Sequence, residues 1–223
     1  MTPIIQIAGV IDQDEADLLI HAGVRYLGFP LRLPVNKEDL SETQAAEIIK
    51  TLPKQIKAVL ITYQNNAAEI VQLCRQLRAD HIQLHGEISV EELQKVKKMA
   101  PQLTLFKSLI TGKYSLDQLK QTITRTESFV DAFITDSYNP STGATGATGR
   151  THDWSISRKL VNHSSKPVIL AGGLTPRNVY EAVKTVKPAG VDAHTGVEGP
   201  DGRKALTQIE QFIRNAQAAF NEL

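Results

Sequence analysis

The feature that most restricts this chain is a strict alternation of strand-like and helix-like segments from one end to the other. Short apolar runs of strand length occur at residues 4–8, 26–29, 58–62, 81–84, 104–108, 132–135, 168–171 and 190–193. Helical periodicity follows each of them, at 12–22, 41–52, 66–77, 90–99, 116–126, from near Asp153, from Thr175-Pro176, and at 204–220. The strand runs are almost continuously β-branched and aliphatic, which suits parallel strands covered on both faces. Parallel strands joined through helices are βαβ units. Eight such units in 223 residues predict an α/β fold, a (β/α)8 TIM barrel forming a single domain over 1–223. An open doubly wound sheet has the same periodicity and stays the alternative at this point.

Charge and cysteine usage narrow the function classes. There are 25 basic against 24 acidic residues, for a net charge of +1, so no electrostatic footprint for nucleic acid is present. A single cysteine, Cys74, excludes an internal disulfide framework and a cysteine-rich zinc site. The N-terminal MTPIIQIAGVIDQDEA lacks the basic start of a signal peptide. No apolar run approaches the ~20 residues that span a bilayer. The expectation is a cytoplasmic protein, monomer or homodimer, without cofactor or metal.

Two turns point to a ligand. Gly172-Gly173 and Thr195-Gly196 end the last two strand runs. Glycine- and threonine-rich βα turns expose backbone N–H groups that can surround a phosphate. In a βα barrel the loops after strands 7 and 8 are the usual phosphate site. Gly172, Gly173, Thr195, Gly196 and Val197 are therefore expected to hold the phosphate of a small-molecule substrate. The irregular stretch 139–152, NPSTGATGATGRTH, is expected to be a loop that orders over that ligand.

Six strings, in order and at barrel spacing, carry a more specific likeness. They are Leu27-Gly28-Phe29, Gln83-Leu84-His85-Gly86, Thr135-Asp136-Ser137-Tyr138, residues 146–154 (GATGRTHDW), Leu170-Ala171-Gly172-Gly173-Leu174, and Gly190-Val191-Asp192 with Gly196-Val197-Glu198. Through them nearly the whole chain resembles the phosphoribosylanthranilate isomerases, tryptophan-pathway barrels of the ribulose-phosphate-binding type that perform an Amadori rearrangement. The resemblance implies that Asp136 is the general acid, and that His85, Asp192 and Gly149 contact substrate.

The likeness departs from the family where the chemistry lies. The family's first strand ends in lysine-isoleucine-cysteine-glycine, with the cysteine as general base; here it reads Gln6-Ile7-Ala8-Gly9. A methyl group accepts no proton. His194, where the family has serine, is the expected replacement base, because imidazole works as a base near neutral pH; His85 and His152 are further mouth candidates. The family also holds the anthranilate carboxylate with an arginine after strand 2, and Arg32 or Lys37 is the expected substitute. Three functions fit: the family's isomerisation with a rearranged base, a paralogous barrel acting on another phosphorylated sugar, and a phosphometabolite-binding barrel without catalysis.

Overall fold

The computed structural model describes residues 2–34, 40–138, 140–141 and 151–223. Eight parallel strands close into a barrel in sequential order. They are β1 (Ile4–Ala8), β2 (Tyr26–Pro30), β3 (Lys57–Thr62), β4 (His81–Leu84), β5 (Thr104–Thr111), β6 (Ala132–Ser137), β7 (Val168–Leu170) and β8 (Gly190–Ala193). Closure comes from β1 pairing with β8, Ile4 opposite Gly190 through Ile7 opposite Ala193. The open sheet is thereby excluded.

The surrounding helices are α1 (Gln13–His21), α2 (Glu42–Thr51), α3 (Ala67–Leu77), α4 (Val90–Met99), α5 (Leu116–Thr126), α6 (Trp154–His163), α7 (Val179–Val186) and α8 (Leu206–Asn221). Most begin where a short polar side chain can accept from the first free N–H groups. Asp12, Ser41, Asn66, Ser89, Ser115 and Asp153 all do so. One start differs from expectation. Thr175-Pro176 does not open α7; a turn intervenes, in which Asn178 Oδ1 accepts from Thr175 N at 2.8 Å, and the helix begins at Val179. Asn66 accepts from both Ala68 N and Glu69 N. Asn66→Ala is expected to destabilise the fold by about 1 kcal/mol, read as a lower urea midpoint with unchanged slope.

Alternate strand residues face opposite sides of the sheet, and the two sides have different chemistry. Outward residues such as Ile7, Leu27, Leu60, Ile82, Leu105, Phe133, Leu170 and Val191 pack with the helices in the large core. Inside the barrel, Val59, Phe106, Ala132, Ile134, Ile169 and Ala171 form a second cluster, with Ile4 and Tyr26 against it. On four strands the interior turns polar two residues further along. Ile4 gives way to Gln6, Phe106 to Ser108, Ile134 to Asp136 and Gly190 to Asp192, all four buried. The N-terminal half of the barrel is thus a plug, and its C-terminal mouth is a polar chamber.

Candidate functional site

The β1–β8 register brings the first and last strand ends together. With Ile7 opposite Ala193, His194 follows level with Ala8. Its imidazole lies directly on Gly9: the place a Cβ would take there is filled by His194 Nε2, Cδ2 and Cε1. Only glycine, here at φ +82°, lets the ring approach so closely. Burial pulls the imidazole down to about 4, and the Lys204 ammonium adds to this while Glu198 opposes it. His194 Nε2 lies 3.8 Å from Glu198 Oε1, which also accepts from Lys204 Nζ at 2.8 Å. The ring is neutral at physiological pH, with a lone pair available.

Two carboxyls stand across the chamber. Asp136, buried at the end of β6, accepts from Ser137 N at 2.7 Å. Burial pushes it up to about 7, against that one hydrogen bond. Asp192 is raised well above the usual carboxylate range by burial and then by Asp136 itself, with Gln6 and Lys204 opposing. A carboxyl that keeps its proton near neutrality can serve as a general acid. His85, just past β4, is buried too. It sits 2.9 Å from Ser108 Oγ through Nδ1 and edge-on to Tyr63, with ring centroids 5.0 Å apart.

The two glycine-bearing turns meet. Gly172 and Gly173 adopt φ +96° and +64°. Thr195–Val197 form a single 3₁₀ turn, packed so tightly on the other turn that a Cβ on Gly196 would collide with the Leu174 carbonyl oxygen. His152, brought down to about 4 by burial, closes the other side: its Nδ1 is 3.0 Å from the Cβ position of Gly172. If the N–H groups of these turns hold a phosphate, bulk at Gly173 should weaken it. Gly173→Val is expected to reduce ribose 5-phosphate affinity by about 1–3 kcal/mol, measured by titration calorimetry; unchanged affinity would place the anion elsewhere.

Other expected residues are placed differently. Arg32 follows β2 at φ +56°, and its guanidinium forks onto Glu42, with Nε to Oε1 at 2.7 Å and Nη2 to Oε2 at 3.2 Å. A substrate carboxylate reaching Arg32 would compete with Glu42. Cys74 is buried in α3, its thiol pushed up to about 12 by burial, far from the state of a general base. Lys37, Gly149 and all of 139–152 except 140, 141, 151 and 152 lie outside the described residues. Among the described residues, no cluster of three or more His, Cys, Asp or Glu side chains is disposed to hold a metal.

Three interior residues were not singled out for chemistry in the sequence: Gln6, Gln83 and Ser108. Gln6 Nε2 donates to Gln83 Oε1 at 3.0 Å, and Gln83 Nε2 to Ser108 Oγ at 3.2 Å. Their signal was present in period-two position. Each is a polar residue in a largely apolar strand run, in phase with residues that face the mouth. Lys107, out of phase on the same strand as Ser108, is buried among the carbonyls of Leu84, Gly86 and Ser108, its nearest at 2.9 Å. Burial brings it down to about 8, and it ties the segment beneath His85 to β5.

Comparison with known proteins gives one consistent result. The family model for N-(5'-phosphoribosyl)anthranilate (PRA) isomerase matches residues 5–215. The protein named N-(5'-phosphoribosyl)anthranilate isomerase 2 of Methanosarcina mazei is 34% identical over 218 residues, covering 97% of this chain and 95% of its own length. The crystal structure of phosphoribosyl anthranilate isomerase from Thermotoga maritima superposes with a TM-score of 0.81 at 25% identity, covering 97% of this chain and 100% of the other. A further phosphoribosyl anthranilate isomerase structure, in complex with reduced 1-(o-carboxyphenylamino)-1-deoxyribulose 5-phosphate, shares the fold with a TM-score of 0.79 at 23% identity, covering 97% of this chain and 100% of the other.

Proposed function

Because this chain belongs to the phosphoribosylanthranilate isomerase family, a family of isomerase enzymes, we propose that it rearranges N-(5'-phosphoribosyl)anthranilate in tryptophan biosynthesis, with Asp136 as general acid and His194 as general base. The rearrangement opens the furanose ring by protonating its oxygen and then removes the C2 proton of the resulting imine. The first step needs a protonated acid, which suits a carboxyl pushed up to about 7. The second needs an unprotonated base, which suits an imidazole brought down to about 4. The observation that carries the assignment is the seat of His194 on Gly9, the residue after Ala8, where the family's cysteine base would stand. The paired turns at Gly172-Gly173 and Thr195–Val197 would hold the phosphate, with His85 and Asp192 lining the chamber below.

The test is product formation from N-(5'-phosphoribosyl)anthranilate by the purified protein, together with rescue of a tryptophan auxotroph that lacks the isomerase. Turnover and rescue by the parent chain support the proposal. Rescue only after Ala8→Cys would mean that the scaffold fits but that His194 does not act as base. The fork of Arg32 on Glu42 favours a second reading, a paralogous barrel whose phosphorylated sugar carries no carboxylate at that place. Turnover of such a sugar but not of the anthranilate compound would select it. A cytoplasmic setting accompanies either reading, and among the described residues no helix is long and apolar enough to cross a membrane.

A further inference from the structure

Five polar side chains cross the barrel interior in one line: Asp192 on β8, Gln6 on β1, Gln83 on β4, Ser108 on β5 and His85 just past β4. The links from Gln6 to Gln83 and from Gln83 to Ser108 are 3.0 and 3.2 Å, and Ser108 Oγ is 2.9 Å from His85 Nδ1. At the other end, Gln6 lies opposite Asp192 in the strand register, where a Gln6 N–H turned to that carboxyl would favour its charge, but Gln6 Nε2 donates to Gln83 instead. Yet Gln6 Oε1 and Asp192 Oδ1 are both buried without a partner. If Asp192 were ionised, both would be acceptors, and buried acceptors left unpaired cost free energy. A proton on Asp192 gives each of them a partner.

We propose that Asp192 is held as a neutral acid that donates to Gln6 Oε1, and that the chain it starts runs with one polarity to His85 and places that residue's proton on Nε2. A primary amide donates through nitrogen and accepts through oxygen, so each link fixes the direction of the next. Gln6 donates to Gln83 and Gln83 to Ser108, whose own hydroxyl proton is then left to donate to His85 Nδ1; Gln83 Nε2, a donor too, lies 3.5 Å from the same nitrogen, and two donors facing Nδ1 go with a bare lone pair there. The reversed chain, with both amides turned over, would bind an ionised Asp192 through Gln6 Nε2 and require a proton on His85 Nδ1. The groups facing Asp192 decide between the two. Across the chamber stands a second carboxyl, Asp136, and the nearby cation, Lys204, is bonded through Nζ to Glu198. A charge on Asp192 would be buried beside a carboxyl with no cation bonded to it. Gln6 and Gln83 are then positioning residues: they keep the chamber floor uncharged beneath an anionic substrate and set the tautomer of a mouth histidine. This holds whichever phosphorylated substrate the site takes.

Nitrogen-15 NMR of histidine-labelled parent protein at neutral pH tests the far end of the chain, with His85 identified by the resonances lost in His85→Gln, or by sequential assignment if that variant does not fold. The expected result is a bare Nδ1 and a protonated Nε2. Infrared difference spectra test the near end: Asp192→Asn is expected to abolish a protonated-carboxyl band. Ser108→Ala should leave that band in place while His85 loses its single tautomer, since only the longer 3.5 Å contact of Gln83 Nε2 with Nδ1 then remains, a change that a merely structural serine would not produce. A proton on His85 Nδ1 in the parent, no carboxyl band lost in Asp192→Asn, or an unaltered tautomer in Ser108→Ala would each overturn the proposal.

Discussion

Asp136→Asn is expected to lower turnover by about 10²–10⁴-fold, the usual contribution of a positioned general acid, while substrate affinity changes little. The substitution keeps the shape of the side chain and leaves an oxygen to accept from Ser137 N, now 2.7 Å from Asp136 Oδ1. What it removes is the proton. Asp136 holds one because burial pushes it up to about 7, so the parent rate should fall as pH rises through about 7, where the acid ionises. In Asp136→Asn that alkaline limb should disappear along with most of the rate. Steady-state kinetics on the parent and the variant across the pH range measure both effects. A variant that kept full activity would transfer the acid role to Asp192, the other carboxyl of the chamber.

The fold was legible because its signal is repeated. Eight strand runs, none needing more than local apolar periodicity, sum to a barrel. The α7 start was misplaced because Thr175-Pro176 has the look of a cap and first turn, while Asn178 captures the Thr175 N–H and opens the helix three residues later. The site was legible only at strand ends, where glycine turns and single titratable residues stand out. Two facts depended on tertiary placement. The meeting of His194 with Gly9 joins residues 185 apart in sequence through β1–β8 closure, and only that register makes a histidine on the last strand a neighbour of the first. The engagement of Arg32 by Glu42 likewise cannot be read from a loop in which several charged residues compete. The polar line through Gln6, Gln83 and Ser108 was visible as a breach of strand hydrophobicity, but its meaning required knowing which face of each strand looks inward.

His194→Ala is expected to be as damaging as Asp136→Asn, about 10²–10⁴-fold in turnover, because Ala8 leaves the first strand without a proton acceptor. Its signature lies on the opposite side of the pH profile. Burial and Lys204 bring the imidazole down to about 4, so the base stays unprotonated until the medium is more acidic than that. The parent rate should therefore be level between about 4 and 7 and fall at lower pH as the ring takes up a proton. Loss of the ring also empties the space over Gly9, which makes a double substitution informative. Ala8→Cys combined with His194→Ala places a thiol beside that space, and recovery of rate there would show that a base at the junction of β1 and β8 is what the reaction lacks. Recovery should bring a new pH limb set by the thiol rather than by the imidazole, since only the thiolate accepts the proton. Full activity in His194→Ala alone would dismiss the imidazole as base and leave His85 and Asp192 as the remaining acceptors in the chamber. If Asp192 is neutral, as the hydrogen-bond chain implies, His85 would be the next to replace.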